Sequence, residues 1–297
     1  MQATLTSTTP ETAASTSAER FQRYYQEAGP DYAAWSPRFN MHFGFFRRGM
    51  NPFRREAMLE QMNLEVLDRL RLGPEAAVLD MGCGLGATLR CFARRLPGAR
   101  LEGITLIPWQ LEQGRLLNEQ CPEAKSIRLR LGNYEHTGLP SASCDAVCAL
   151  ESSCYSAGPA KFAFLREAHR LLRPGGRLCV ADGFIGPGQF RGPQQAIYRR
   201  LCDCWVIDAF AEVDSFAAEL AAVGFEQIVV ERIQARVTPS VLHVPWVTFR
   251  FLVTSIAFGP DKMTRARWNN VLAPILLPFV GYPLGPVAYY LVSATRA

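Results

Sequence analysis

The chain has 297 residues, 48% of them hydrophobic and 20% charged, which is enough to bury the core of one large α/β domain. Its formal net charge of +5 comes from 32 basic and 27 acidic residues scattered along the sequence, which argues against a nucleic-acid partner. The nine cysteines contain no C-x-x-C pair, and no histidines cluster at metal-ligand spacing. The sequence therefore predicts reduced core thiols, no metal site and a reducing, cytoplasmic location.

The first part of the chain divides into a polar tail and a helical segment. Residues 1–20 hold nine Ser and Thr and no apolar segment typical of a secretory signal, so we expect a disordered tail. Residues 21–72 are expected to form an N-terminal helical cap. They include the amphipathic stretch "NPFRREAMLEQMNLEVLDRLRL", in which Asn51 and Pro52 are the predicted cap and first-turn residues.

Residues 73–297 form the predicted main domain, in which strands alternate with helices. The predicted strands are "AAVLDMG", "RLEGIT", "SIRLRLG", "CDAVCAL", "RLCVADGF", "EQIVVERI" and "AYYLVSATR", with "RPGG" as the turn before the fifth. This alternation predicts an α/β fold with a mostly parallel sheet covered by helices on both faces. The pattern loosens at about 186–212 and 234–286, and we expect both segments to be insertions above the sheet.

The stretch "VLDMGCGLGATLR" places an acid just before a glycine turn. "GCGLGA" fits the dinucleotide pattern G-x-G-x-x-A, and Glu102 follows where a ribose-binding acid is expected. Asp80, however, precedes Gly82 by two residues and would repel a pyrophosphate. S-adenosylmethionine carries an ammonium and a sulfonium and no phosphate, so it suits Asp80 better. The alternative is a purely structural turn in which Asp80 caps the following helix.

Several longer stretches identify a family resemblance. "CDAVCALES", the next helix and "LLRPGGRLCVAD" stand at the spacing of the fourth and fifth strands of class I methyltransferases, which the chain resembles from Phe21 to Ala297. "MHFGFF", "EGITLIPWQ" and "ALESSCYSAG" are similar to "MHHGFY", "GITLSPVQ" and "AIEATCHAP" of the sterol and tocopherol C-methyltransferase group. Phe43 and Tyr155 replace histidines of that group, and Asn133 replaces an Asp. The acceptor molecule of that group therefore cannot be assigned to this chain by resemblance.

The resemblance implies a Rossmann-like class I methyltransferase fold with a seven-stranded, mostly parallel sheet, an N-terminal helical cap and an apolar lid insertion. It also implies S-adenosyl-L-methionine as cofactor. The implied cofactor-binding residues are Asp80, Gly82, Gly84, Gly86, Thr105, Gln110, Asn133, Tyr134, Tyr25 and Trp35.

The first four of these would hold the methionine part, the glycines because a Cβ would collide with it. Thr105 and Gln110 would take the ribose and adenosine edge, and the side-chain carbonyl of Asn133 would meet the adenine amino group. The aromatic residues of the cap, including Tyr32, would fold over the sulfonium, where cation–π contact is favourable.

The candidate catalytic residues are Glu151, His42, Tyr155 and His243. Glu151 closes the fourth strand, at the sheet edge where open α/β folds place their ligands. An acid there would orient the acceptor or take the proton lost after methylation of a carbon. The alternative for Glu151 is a structural acid that backbone amides of the next helix satisfy.

Residues 268–295 contain no charged side chain. This uncharged segment is longer than the ~20 residues that a helix needs to span a bilayer. Pro274, Pro278, Pro283 and Pro286 argue against a spanning helix, since an interior proline costs ~3 kcal/mol. We expect a lid, whose apolar content implies a lipophilic acceptor or peripheral contact with a membrane surface. Simple packing over the sheet is the alternative.

The function expected from these features is methyl transfer from S-adenosylmethionine to a lipophilic small molecule such as a terpenoid, sterol or quinone, with carbon as the expected acceptor atom. Two alternatives stay open. One is O- or N-methylation of a natural product. The other is a protein that binds the cofactor but has lost methyl transfer and serves as a cyclase or binding module.

Overall fold

The computed structural model describes residues 10–257 and 263–297, which form one sheet and the helices around it. The strands are β1 Ala77–Met81, β2 Arg100–Thr105, β3 Ile127–Leu131, β4 Cys144–Leu150, β5 Leu172–Ile185, β6 Ala211–Glu212, β7 Phe225–Arg232 and β8 Val287–Arg296. The helices are α1 Pro10–Ala28, α2 Tyr32–Trp35, α3 Arg55–Leu70, α4 Ala87–Arg95, α5 Pro108–Glu119, α6 Phe162–Leu171, α7 Gln194–Trp205, α8 Val213–Val223, α9 Gln234–Val241, α10 Val244–Ala257 and α11 Arg265–Val280.

The sheet has the order β3-β2-β1-β4-β5-β8-β7, and the short β6 pairs with β5. All pairs are parallel except those of β8, which runs antiparallel to both β5 and β7. Every residue of β1 is buried, as expected for a central strand covered on both faces. The predicted Rossmann-like fold is confirmed, and β6 adds a two-residue strand to the seven that the sequence predicts.

Two hydrophobic cores cover the two faces of the sheet. Met62 and Val66 of α3 pack with Phe92 of α4 in one core. Phe164 of α6 and Phe216 of α8 belong to the other. This arrangement leaves the carboxyl ends of the parallel strands open to the cap and the lid.

Helix α1 begins at Pro10, so residues 10–20 are helical where the sequence predicts a disordered tail. Its carboxyl-terminal part buries Tyr24, Tyr25 and Ala28 against Ile107. We attribute the helix to this packing, which the Ser- and Thr-rich composition of residues 10–20 does not reveal. Residues 1–9 of the predicted tail lie outside the described residues. The domain boundaries at 21–72 and 73–297 remain predictions.

Two local expectations differ from the structure. Helix α3 starts at Arg55, because Asn51 Oδ1 accepts a hydrogen bond from Phe53 N (2.9 Å) and holds a turn before the helix. The "RPGG" segment lies inside β5 rather than before it. The register between β4 and β5 is irregular there and Gly175 has φ +77°, so this part of the strand is bulged.

The two predicted insertions contain helices. The segment at 186–212 contains α7, and the segment at 234–286 contains α9, α10 and α11. Helix α11 continues through Pro274 and Pro278, since it packs against α7 in a shared apolar cluster. Across residues 10–257 and 263–297, no helix combines the length and apolar character needed to cross a bilayer.

Candidate active site

Two neighbouring cavities, each of about 410 Å³, lie at the carboxyl ends of the parallel strands. The first, which we call the glycine-turn cavity, is lined by Asp80, Gly84, Thr105, Gln110 and Asn133 among others. The second, which we call the lid cavity, lies under α9, α10 and α11. Open α/β folds bind ligands at this edge of the sheet.

Gly82, Gly84 and Gly86 of the turn all have positive φ, but they differ in what surrounds them. Gly82 lines the cavity, and a Cβ there would lie 2.4 Å from the Cβ of Ser152, so this glycine also permits close packing within the protein. Gly84 lines the cavity, and a Cβ there would have Met41 Sδ at 3.5 Å as its neighbour. Gly86 is the N-cap of α4 and is not among the residues that line the cavity, and its contact with the cofactor stays a prediction.

Asp80 is the buried acid of the glycine-turn cavity, with only 2% of its surface exposed. Burial raises its pKa to about 7, because the charged carboxylate loses its water. The described lining contains four carboxyl groups, from Asp80, Glu135, Glu151 and Asp208, and no lysine or arginine. A cationic ligand fits such a wall, whereas a pyrophosphate would be repelled.

Thr105 and Gln110 form a fixed pair, since Thr105 Oγ1 donates to Gln110 Oε1 at 2.6 Å. Asn133 Oδ1 accepts from Glu135 N at 2.9 Å, which leaves one lone pair of this carbonyl for a ligand. Tyr134 donates its hydroxyl to Ser152 O at 2.9 Å and so ties the loop after β3 to the segment after β4. All four predicted residues line the same cavity.

The aromatic residues of the cap divide between the two cavities. Tyr25 lines both, whereas Tyr32 and Trp35 line the lid cavity. Trp35 donates Nε1–H to His42 O (3.1 Å) and packs its ring edge-on against Phe43. These contacts hold Trp35 in the wall of the lid cavity, and its contact with the cofactor stays a prediction.

Five residues line both cavities, and we call this place the junction: Tyr25, Met41, His42, Glu151 and Tyr155. The hydroxyl oxygens of Tyr25 and Tyr155 are 2.8 Å apart. Three of the four predicted catalytic residues therefore meet where ligands in the two cavities would come into contact.

Glu151 follows β4 with a left-handed backbone (φ +48°), a conformation that non-glycine residues adopt mainly where the fold enforces it. Its Oε1 accepts from Phe43 N (2.6 Å) and from the Tyr289 hydroxyl (2.8 Å). The donors thus come from the cap and from β8, not from the next helix. The pKa of Glu151 is raised to about 8. Burial is the largest cause; the hydrogen bond from Phe43 opposes it, and the neighbouring Asp182 adds to it.

Both candidate histidines are hydrogen-bonded within the protein. His42 has Nδ1 2.9 Å from Phe43 O and Nε2 3.0 Å from Asn63 Oδ1, and burial lowers its pKa. Both ring nitrogens are therefore engaged within the protein. His243 is not among the residues that line either cavity, and its Nε2 lies 2.7 Å from Pro52 O in the loop before α3; its catalytic role stays a prediction.

Sequence reasoning missed the groups that fix the turn at Ser153–Tyr155. Asp182 accepts from Ser153 Oγ (2.7 Å) and Cys154 N (3.1 Å). The buried Lys161 donates Nζ–H to the carbonyl oxygens of Cys154 (3.0 Å) and Ser156 (2.7 Å) and of Ala209 (2.7 Å). An acid in β5 and a lysine before α6 gave no sequence signal, because their partners come from other loops.

The wall of the lid cavity is mainly apolar and aromatic. Its aromatic residues are Tyr25, Tyr32, Trp35, Phe43, Tyr155, Trp205, Phe210, Phe251, Tyr282 and Tyr289. The described lining contains three carboxyl groups, from Asp31, Glu151 and Asp182, and no lysine or arginine. Asp31 is paired with Arg267 at 2.9 Å. Such a wall suits an apolar molecule that carries or develops positive charge. In the part of the chain described, no three His, Cys, Asp or Glu side chains are grouped to hold a metal.

Comparison with known proteins shows similarity to methyltransferases over the part of the chain that runs from β1 to β5. The family model of the methyltransferase domain matches residues 79–180. An O-methyltransferase of Pyrenophora dematioidea is 29% identical over 200 residues, which are 67% of this chain and 73% of that protein. The 2-methyl-6-phytyl-1,4-hydroquinone methyltransferase of Synechocystis is 31% identical over 157 residues, 52% of this chain and 47% of the relative.

Among solved structures, a geranyl diphosphate methyltransferase in complex with geranyl diphosphate and sinefungin superposes with a TM-score of 0.71. The sequences are 19% identical, and the match covers 95% of this chain and 100% of the other. At this identity the match supports the fold alone.

Proposed function

Because the chain belongs to the S-adenosylmethionine-dependent class I methyltransferases, we propose that it methylates a carbon atom of an uncharged lipophilic small molecule. The observation that carries the proposal is the junction. A molecule in the lid cavity meets a ligand of the glycine-turn cavity at Tyr25, Glu151 and Tyr155. Methyl transfer requires donor and acceptor to be held in line, and such orientation is worth ~7–11 kcal/mol.

The glycine-turn cavity fits the cofactor. S-adenosylmethionine supplies an electrophilic methyl group on a positively charged sulfur. Asp80 offers a carboxylate to the cofactor's ammonium group, and Gly84 leaves room for its methionine part. Thr105, Gln110 and Asn133 offer polar groups for hydrogen bonds to the ribose and the base. At the junction, Tyr25 would supply an aromatic ring beside the positive sulfur.

The proposed chemistry uses the electron pair of an acceptor carbon–carbon double bond. That pair forms the bond to the methyl carbon, and the sulfur–carbon bonding pair stays on sulfur. The acceptor is left with a positive carbon, which the aromatic wall and Asp182 stabilise. Glu151 in its ionised form then takes a proton from the adjacent carbon, and the C–H electron pair restores the double bond.

The charges of the lid cavity support an uncharged acceptor. Its described lining contributes three carboxyl groups and no lysine or arginine that would pair with a diphosphate. The phytyl hydroquinone on which the Synechocystis relative acts is a closer chemical match than the geranyl diphosphate of the solved relative. We therefore propose a prenylated quinol, a sterol or a terpenoid.

We also propose where the protein meets this acceptor. The exposed apolar residues of the lid support peripheral contact with a membrane surface. Eight of the nine thiols are buried and all are free, which supports a reducing compartment such as the cytoplasm.

The test is incubation with methyl-labelled S-adenosylmethionine and a panel of sterols, prenylated quinols, terpene alcohols and geranyl diphosphate, with the products analysed by mass spectrometry. We expect a C-methylated product from an uncharged member of the panel. Transfer to geranyl diphosphate alone, or to a hydroxyl oxygen, would contradict the proposed acceptor. Tight S-adenosylhomocysteine binding without any transfer would favour the cyclase or binding-module alternative.

A further inference from the structure

Helix α10 presents apolar side chains on two opposite faces. Its inner face lines the lid cavity through Val247, Thr248 and Phe251. Its outer face carries four apolar side chains at helical spacing that are 63%, 59%, 44% and 65% exposed: Trp246, Phe249, Val253 and Ile256. A helix on the surface of a globular protein normally carries polar residues on its outer side, so the outer face of α10 lacks the polar residues expected of a solvent-facing surface.

The outer face of α10 adjoins the entrance of the lid cavity. Leu242, Tyr282 and Leu284 line that cavity and are also 72%, 47% and 66% exposed, so they mark its opening. Leu242 precedes Trp246 by about one helical turn. The apolar surface is therefore continuous from the cavity opening to the outer face of α10.

Positive charge surrounds this surface. The segment 46–55, which ends at the first residue of α3, contains four arginines and no acid, and one of them, Arg47, is paired with Glu65 (2.6 Å) and Asp68 (3.2 Å). His243 Nε2 contacts Pro52 O (2.7 Å) and so holds this segment beside the start of α10. Phe53 at its tip is 85% exposed. Arg250 lies exposed at the side of the outer face, and the segment 234–286 contains five basic residues and one acid.

We propose that the outer face of α10, together with Phe53, docks on an anionic lipid bilayer and brings the opening of the lid cavity to the lipid. The inference rests on the proposed function, since a lipophilic acceptor dissolves in the bilayer. Trp and Phe on one side of a helix with Arg at its border are typical of helices that lie in the membrane interface. Anionic head groups complement the arginines.

The charges disfavour a second copy of the chain as the occupant. In a two-fold symmetric contact the same patch meets itself, which would bring the arginines of both copies together. A bilayer with acidic lipids covers the apolar face and satisfies the charges at the same time.

The test is co-sedimentation of the full chain with vesicles of phosphatidylcholine alone or with a quarter phosphatidylglycerol. The double variant Trp246→Ser/Phe249→Ser removes apolar surface that does not line either cavity. Its control, Leu116→Ser/Phe162→Ser, truncates two similarly exposed side chains on α5 and α6. Arg48→Glu/Arg250→Glu tests the charges, with Arg95→Glu/Arg128→Glu as control because these four side chains are all exposed.

We expect the wild type to bind the anionic vesicles and both test variants to bind at least ~10-fold more weakly, with the controls unchanged. Equal binding of wild type and test variants, or no binding by the wild type, would overturn the proposal. So would a wild-type dimer that Trp246→Ser/Phe249→Ser converts to a monomer, since a second copy would then cover the face. S-adenosylhomocysteine affinity is measured in parallel: if it is intact while vesicle binding is absent, the docking surface fails and the proposed function does not.

Discussion

The hydroxyl oxygens of Tyr25 and Tyr155 lie 2.8 Å apart at the junction of the two cavities. Tyr25 belongs to α1 of the cap, and Tyr155 ends the short turn after β4. The pair therefore connects the cap to the edge of the sheet. In the proposed reaction this contact closes the space in which the methyl group moves.

Replacing either tyrosine of this pair is expected to impair turnover. Tyr25→Phe or Tyr155→Phe removes one hydroxyl and leaves the other without its buried partner, a loss of ~0.5–1.5 kcal/mol or roughly 3- to 10-fold in kcat/KM. The double variant should be little worse than either single variant, because the same interaction is lost. Tyr290→Phe serves as control, since Tyr290 is buried outside both cavities. Additive losses in the double variant would show that the two hydroxyls act separately.

Cofactor affinity is expected to depend on pH through Asp80. Burial raises its pKa to about 7, and in the proposed site its ionised form would bind the ammonium group of the cofactor. Affinity for S-adenosylhomocysteine should therefore fall as pH decreases below about 7 and level off above it. Asp80→Asn should bind ~10- to 150-fold more weakly above pH 7, the loss expected for a charged hydrogen bond of ~1.5–3 kcal/mol, and with a flat pH profile. Calorimetry over pH 5.5–8.5 measures the affinity of the wild type and of Asp80→Asn. A wild-type affinity that does not change with pH would contradict the proposed role of Asp80.

The two glycines Gly82 and Gly84 should respond differently to alanine. Gly82→Ala places a Cβ 2.4 Å from Ser152, so we expect a clear fall in melting temperature. Gly84→Ala meets Met41 Sδ at 3.5 Å and carries mainly the cost of its positive φ, so the fold should survive while cofactor affinity drops. Restoring stability by adding Ser152→Gly to Gly82→Ala would confirm the clash. Equal melting temperatures of the two single variants would contradict it.

Tyr289 is expected to set the pH range in which Glu151 works. The hydrogen bond from the Tyr289 hydroxyl favours the ionised carboxylate and lowers the pKa of Glu151. Tyr289→Phe should raise that pKa, so the rising limb of kcat/KM against pH moves to higher pH. S-adenosylhomocysteine affinity should not change, because Tyr289 lines only the lid cavity. An equal loss of kcat/KM at every pH, with the rising limb at the same pH as in the wild type, would show that Tyr289 has only a structural role.

The sequence predicted those features that depend on local pattern. The alternation of strands and helices gave the parallel sheet, and the position of Glu151 at the end of β4 placed it at the ligand edge. The partners of Glu151 were not predictable, since Tyr289 is 138 residues away and the adjacent Tyr290 is equally suited by sequence. The contacts of His243 with Pro52 and of Trp35 with the backbone of His42 were not predictable either, because tertiary packing sets them.

The central claim is that Glu151 accepts a proton from the methylated acceptor. Glu151→Gln keeps the shape of the side chain but removes its charge and basicity. The decisive measurement is kcat/KM against pH for the wild type and Glu151→Gln on the same lipophilic acceptor, with S-adenosylhomocysteine affinity measured in parallel. Because the pKa is about 8, wild-type activity should rise with pH up to about 8. The variant should lose ~10²-fold or more in turnover, lose the rising limb and keep its affinity for S-adenosylhomocysteine. Full activity of Glu151→Gln, or a parallel loss of cofactor binding, would contradict the account.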